Sequence, residues 1–176
     1  MKQTTIERLA KENLFETVGK EWMLITAGTP ENFNMMTASW GGFGWLWNKP
    51  VAFIFVRPER FTFPLIEQND PVTLSFYGHD PAMRKMLSFC GSVSGRDHDK
   101  VKESGLTPEF LPEGGITFRE ARLTVVGRKL FGSDFTEQNF LDKDVLARWY
   151  NDQPGGSLHK LYVLEIQQVF EARAIY

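Results

Sequence analysis

The stretch Pro50–Pro58, PVAFIFVRP, is apolar without a break from Val51 to Val56 and is closed by proline at each end. A short run of branched and aromatic side chains between two prolines predicts a strand buried on both faces. Arg57 and Arg60 flank the proline turn that follows, and Arg60–Asp70, RFTFPLIEQND, has room for one or two helical turns. Val72–Gly78, VTLSFYG, then reads as a second strand. On the other side lies Asn34–Pro50, NMMTASWGGFGWLWNKP, which sets three tryptophans among three glycines. Its first part, NMMTASW, reads as a paired strand. Its glycines read as a loop that passes close to its neighbours without a Cβ clash.

The rest of the chain keeps this character. Thr4–Lys20 has apolar residues near helical spacing, with Thr4 or Thr5 as a cap, and predicts an N-terminal helical extension over residues 1–20. Glu21–Gly28, EWMLITAG, predicts a strand ending in a Gly-Thr-Pro turn. Asp80–Gly91 predicts a helix with Pro81 near its first position. In Ser94–Gly105 a turn leads into a short helix, with Asp97 placed to cap a start near His98. Thr117–Phe131 is strand-like, Asn139–Asp152 an amphipathic helix, and Leu158–Tyr176 one long strand or two joined by a bend. Six or seven strands without a strict β-α-β rhythm disfavour a doubly wound parallel sheet. A mainly β fold with helical insertions, a small antiparallel barrel, fits better. No linker or repeat divides residues 1–176, so one domain is expected.

Composition narrows the function. The 176 residues carry a formal net charge of -2, which gives no basic surface for nucleic acid or anionic lipid. No apolar run approaches the ~20 residues that cross a bilayer. The N-terminus is polar rather than signal-like, so a cytoplasmic home is the expectation. A single cysteine, Cys90, excludes an intrachain disulfide, and three histidines without ligand spacing argue against zinc. Cys90 reads as a packed small hydrophobe. There is no Rossmann fingerprint, no Walker motif and no G-x-S-x-G elbow. An enzyme of this sequence would leave the hard chemistry to a cofactor.

Three segments carry candidate chemistry, each with a plain structural alternative. Thr37-Ala38-Ser39 offers small side chains and backbone amides, and Trp40 offers an aromatic wall with an N–H donor, which suits the edge and face of a flat ligand. Tryptophan and glycine also pack together at barrel bends with no ligand. Ser94-Gly95-Arg96, with Lys100 following, gathers amides and positive charge where an anion such as a phosphate would sit, or forms an ordinary N-cap turn. Thr62, after Arg57, either donates its hydroxyl to a ligand oxygen or caps the next helix. His159 opens the last strand, where its role depends on what faces it.

Taken in order, MTASW, LWNKPVAFIFVRPERFT, SFCGSVSGRDHDK and HKLYVLEI resemble the flavin reductase-like family over roughly Glu21 to Tyr176. The resemblance implies the FMN-binding split barrel, with flavoredoxin-type proteins among its members, and usually a homodimer. It implies electron transfer between NADH, NADPH or an electron-transfer protein and flavin. Carried over, Asn34, Thr37, Ala38, Ser39 and Trp40 would line the flavin ring and ribityl chain. Thr62, with Arg57 nearby, would hold the ribityl-phosphate end. Ser94, Gly95, Arg96 and Lys100 would form the phosphate loop, and His159 would lie on the nicotinamide side as a tentative catalytic residue. Where many reductases read Gly-Asp-His before the last strand and Gly-Glu within it, this chain reads Ser157-Leu158-His159 and Leu164-Glu165. A non-catalytic flavin-binding or electron-carrier protein is therefore the alternative to a flavin reductase.

Overall fold

The computed structural model describes residues 1–150 and 157–173. Ten strands and six helices are described: β1 (Lys2–Thr4), α1 (Ile6–Leu9), α2 (Leu14–Glu16), β2 (Met23–Thr29), β3 (Asn32–Ala38), β4 (Gly41–Leu46), β5 (Lys49–Val56), α3 (Thr62–Gln68), β6 (Val72–Phe76), α4 (Pro81–Ser92), α5 (Lys100–Ser104), β7 (Pro108–Phe110), β8 (Ile116–Phe118), β9 (Leu123–Asp134), α6 (Lys143–Tyr150) and β10 (Lys160–Glu171). Every strand pairing is antiparallel. The main sheet runs β3-β2-β6-β9-β10-β5-β4, with β1 also pairing with β10, and β7 and β8 form a separate hairpin.

The two end strands of that order, β3 and β4, are separated in sequence only by Ser39 and Trp40. Three Cα steps span at most about 11 Å, so the opposite edges of the sheet must lie close together. The sheet therefore curls on itself, yet β3 and β4 do not pair, and a seam is left open with Trp40 in it. This is the split of a split barrel. Gly41 is the residue that lets the chain turn into β4 here, because a Cβ would stand 2.7 Å from the Phe53 carbonyl oxygen.

Strand periodicity explains the packing. Met23, Ile25 and Ala27 of β2 and Met36 of β3 join Ala52, Ile54, Val56, Leu74, Phe76, Val125, Leu164 and Ile166 in the principal core. The intervening Leu24 and Met35 face outward, where α4 covers them with Met86, Leu87 and Cys90. Asp80 starts α4 by accepting from the Ala82 N–H at 2.8 Å, and Pro81 occupies the first turn.

Several expectations change. β5 is not buried on both faces: Val51, Ala52, Ile54 and Val56 are inside, while Phe53 and Phe55 are only half-buried. The glycine-rich loop expected after Trp40 is strand β4, which pairs with β5 through a two-residue turn at Trp47 and Asn48, both at positive φ. Glycine lowers strand propensity, but antiparallel partnership on one side is enough to hold an edge strand. The N-terminal helix is broken after Leu9, because Asn13 caps a new turn by accepting from the Glu16 N–H, and a π turn over Thr17–Glu21 follows. Residues 2–4 add strand β1. Thr117–Phe131 divides into the ends of β8 and most of β9 at the Arg119–Arg122 turn. The last strand is a single one, coiled by two irregularities against β9. The expected ends of helix 139–152 and of strand 158–176 extend beyond the described residues. Among the described residues no helix is long and apolar enough to cross a membrane.

Candidate functional site

Two adjoining cavities lie along the seam. The first, about 210 Å³, is walled by Met36, Thr37, Ala38, Ser39 and Trp40 from the end of β3, by Phe55 and Arg57 from β5, by Arg60 and by His159. The pairing of Lys160 with Val56 sets this up, since one step further the register carries His159 alongside Arg57. The second, about 200 Å³, is walled by Asn34, by Glu59 to Thr62, by the Gly91–Arg96 segment that ends α4, and by Lys100. Arg60 borders both.

The second cavity gathers cationic side chains. Lys100 is buried, and its Nζ donates to the carbonyls of Cys90 at 2.7 Å and Met35 at 3.1 Å, which leaves one N–H uncommitted. Burial, with the charge of Arg60 adding to it, pushes its pKa down to about 8. Arg60 Nη1 donates to the Gly91 carbonyl at 3.2 Å, while its buried Nη2 has no partner among the described residues. A guanidinium N–H at the junction of two cavities is placed to donate to whatever occupies them. Arg96 lies across the Phe61 ring at 5.2 Å and donates to the Glu59 carbonyl at 3.2 Å. Gly95 is a cradle residue: a Cβ there would stand 2.4 Å from Asn34 Oδ1 and 2.7 Å from the Phe61 ring. Asn34 is fixed in turn, its Nδ2 donating to the buried Thr62 Oγ1 at 2.8 Å. That leaves the Thr62 hydrogen free to donate.

The first cavity suits a flat ring. β3 is an edge strand, so one side of its backbone is not used by a neighbouring strand. Ala38 and Ser39 keep the wall thin, and Trp40, 39% exposed, stands at the mouth against Trp149 and His159 at 5.3 and 5.2 Å between ring centroids. His159 is neutral at physiological pH, because burial, with the charge of Arg57 adding to it, pushes its pKa down to about 4. Its Nδ1 lies 2.8 Å from Tyr150 Oη.

All twelve residues singled out in the sequence line one cavity or the other: Thr37, Ala38, Ser39, Trp40, Arg57 and His159 the first, and Asn34, Thr62, Ser94, Gly95, Arg96 and Lys100 the second. Their grouping differs from the expectation in two places. Arg57 borders the first cavity, where it donates to the Trp149 carbonyl at 2.9 Å, rather than standing with Thr62. Asn34 borders the second. The Thr37 hydroxyl hydrogen is already committed to the Leu87 carbonyl at 2.6 Å, so Thr37 has its backbone and the lone pairs of Oγ1 to offer. Helix α5 starts at Lys100 with Asp99 as its cap, accepting from the Lys102 N–H at 3.1 Å. Asp97 instead closes the preceding turn through its N–H to the Ser94 carbonyl at 3.2 Å. Thr62 caps no helix.

Sequence reasoning passed over Arg60, Phe55 and Tyr150. Arg60 stood in view only as a flank of the proline turn. Its spacing from Arg57 shows two cations near one turn, but not that one of them is swallowed between two cavities.

No family model matches this sequence, and no curated protein does. Solved structures do. Flavoredoxin of Desulfovibrio vulgaris (Miyazaki F) superposes with a TM-score of 0.65 at 18% identity, covering 97% of this chain and 76% of its own. An FMN-binding protein from Thermus thermophilus, in complex with 1-cyclohex-2-enone, gives 0.64 at 21%, covering 85% of this chain and 69% of its own. Nitrilotriacetate monooxygenase component B from Bacillus cereus gives 0.66 at 11%, covering 98% and 80%. The chain has the split-barrel fold of these structures.

Proposed function

We propose that this chain is an FMN-binding flavoprotein oxidoreductase, with the cofactor laid along the seam. The observation that carries the reading is the pair of adjoining cavities that meet at the unpartnered Nη2 of Arg60. A thin-walled aromatic cavity beside a cationic one has the polarity of a ring joined to a phosphate. Thr37, Ala38, Ser39 and Trp40 would hold the ring through backbone groups and an aromatic edge. Asn34 and Thr62 would meet the ribityl chain. Arg60, Arg96, Lys100, Ser94 and Gly95 would hold the phosphate. When bound, FMN supplies two-electron hydride chemistry. The protein's share is to orient the ring, shield it and fix the charges around it. His159, kept neutral, would present a polar but uncharged group on the open side, where NADH, NADPH or a redox partner protein would approach.

The proposal treats residues 1–176 as one cytoplasmic domain acting as a homodimer. The exposed Trp45, Trp47 and Phe131, clustered near the β4–β5 turn, offer apolar surface for a second subunit. Anaerobic mixing of the FMN-loaded protein with NADH and with NADPH tests the reductase reading. Bleaching of the flavin band by either nucleotide supports it. The departures at Ser157-Leu158 and Leu164 favour a second reading, an electron carrier. That reading predicts bleaching only by a reduced partner protein or by dithionite.

A further inference from the structure

Beside the first cavity lies a third chamber of about 380 Å³, lined by Trp40, Phe55, Phe135, Phe140, Trp149 and Tyr150 among others. Its walls come from three places: the seam, β5, and the Phe135–Tyr150 segment that ends in α6. The rings contact one another as tilted or edge-to-face pairs: Trp40 with Trp149 at 5.3 Å, Phe55 with Phe135 at 5.6 Å, Phe135 with Phe140 at 5.9 Å and Phe140 with Tyr150 at 5.5 Å. Arg57 ties α6 to β5 by donating to the Trp149 carbonyl at 2.9 Å, and this holds the far wall in place. The chamber shares Trp40 and Phe55 with the first cavity, so the two are neighbours.

The polarity of the chamber selects its occupant. Among the described residues none of those lining it is charged. A volume in the range of small-molecule sites, walled by ring faces and edges, favours a flat apolar body. Besides the indole N–H groups of Trp40 and Trp149, polar character enters at the Tyr150–His159 pair, where Tyr150 borders the chamber and His159 the first cavity. With the imidazole neutral, this pair shares one hydrogen and keeps one donor over. If Tyr150 donates to Nδ1, the His159 Nε2–H remains. If Nδ1–H donates, the Tyr150 O–H remains. Either way the boundary offers one donor to one acceptor. We infer that the chamber is a binding site for a neutral, flat, one- or two-ring aromatic carbonyl compound whose oxygen accepts from the Tyr150–His159 pair. Arg57 and Arg148 lie over the Tyr150 and Trp149 rings at 5.1 and 5.3 Å without lining the chamber, so a dinucleotide is the competing occupant that the test separates.

This inference deepens the flavoprotein reading by assigning the second ligand's place, and it is tested separately from it. The probe is 1,4-naphthoquinone, measured by equilibrium dialysis and by quenching of tryptophan fluorescence, with and without bound FMN. One molecule per chain is expected. Val145→Asp, on the chamber side of α6, should weaken it at least about tenfold by placing a charge in the wall. Tyr150→Phe keeps the ring and should weaken it about fivefold where the Tyr150 O–H is the donor, and leave it unchanged where the His159 Nε2–H is. Val145→Asp should not move FMN affinity by more than about twofold. Naphthoquinone binding unaffected by both variants overturns the inference, as does full competition by NADH. So does a change in sedimentation with Val145→Asp at unchanged naphthoquinone affinity, which would assign the chamber to a subunit contact. FMN binding without naphthoquinone binding defeats this inference alone. Naphthoquinone binding without FMN binding defeats the flavin reading alone.

Discussion

Replacing Arg60 with methionine removes the guanidinium while keeping an unbranched chain of similar reach. In the free protein Arg60 makes one hydrogen bond, to the Gly91 carbonyl, and leaves Nη2 buried without a partner among the described residues. Its charge is disfavoured where it stands: burial is the largest influence, Glu59 opposes it and Arg57 adds to it. The bond to Gly91 contributes about 1 kcal/mol, and burial of the charge opposes it, so the two nearly cancel. The free variant should therefore unfold within about 1 kcal/mol of wild type. Bound to a phosphate, the same guanidinium forms charge-assisted hydrogen bonds, of about 1.5–3 kcal/mol each. Losing one weakens FMN by about 10- to 150-fold, since about 1.4 kcal/mol is one decade. Riboflavin has no phosphate and should lose little. Calorimetric titration of both ligands into wild type and Arg60→Met, with thermal melts of the free proteins, reads all three quantities. The reasoning fails if FMN weakens less than about threefold, if riboflavin weakens as much as FMN, or if the free variant loses more than about 2 kcal/mol.

Other substitutions examine the rest of the seam. Gly95→Ala forces a methyl into Asn34 Oδ1 and the Phe61 ring, at 2.4 and 2.7 Å, and should cost roughly 1–3 kcal/mol of stability along with FMN affinity; a melt matching wild type would show that the loop yields freely. Trp40→Ala should weaken FMN about tenfold or more in fluorescence titration, while Trp47→Ala, 55% exposed and packed only against Phe131 among the described rings, should leave it near wild type; the reverse order would move the site. Lys100, depressed to about 8, is charged in the free protein below that pH and neutral above it, so FMN binding at higher pH must take up a proton. FMN affinity should accordingly fall by up to about tenfold per unit between about pH 8 and about pH 10, with riboflavin flat; a parallel decline in both would assign the effect elsewhere.

The sequence showed the site more clearly than the strand beside it. Ser94-Gly95-Arg96 and Thr37–Trp40 could be singled out because small residues next to a cation or an aromatic leave a local signature, and both segments end at the seam. β4 was hidden because Gly41, Gly42 and Gly44 carry no strand propensity, and only the partner β5 makes them a strand. The half-buried faces of Phe53 and Phe55 were hidden for a related reason: a continuous apolar run looks the same whether its second face meets a core or a ligand cavity. Arg60 could not be told from Arg57 because the difference lies in burial and in a bond to the Gly91 carbonyl on α4, far away in sequence. The place of Arg57 beside the first cavity has the same origin, since the register between β5 and β10 sets it alongside His159. The capping error at Asp97 was local. Two aspartates stand two residues apart, and the tighter turn on the Ser94 carbonyl claimed the first.

The measurement that bears most directly on the central claim is an equilibrium titration of the purified, flavin-stripped protein with FMN, riboflavin and FAD, followed by absorbance and by flavin fluorescence. Laying the cofactor along two adjoining cavities, with a phosphate at Arg60 and Lys100, predicts one FMN per chain with a perturbed flavin band, weaker riboflavin, and FAD weaker than FMN. Saturating FMN that leaves the spectrum and fluorescence unchanged, or riboflavin binding as tightly as FMN, would contradict it.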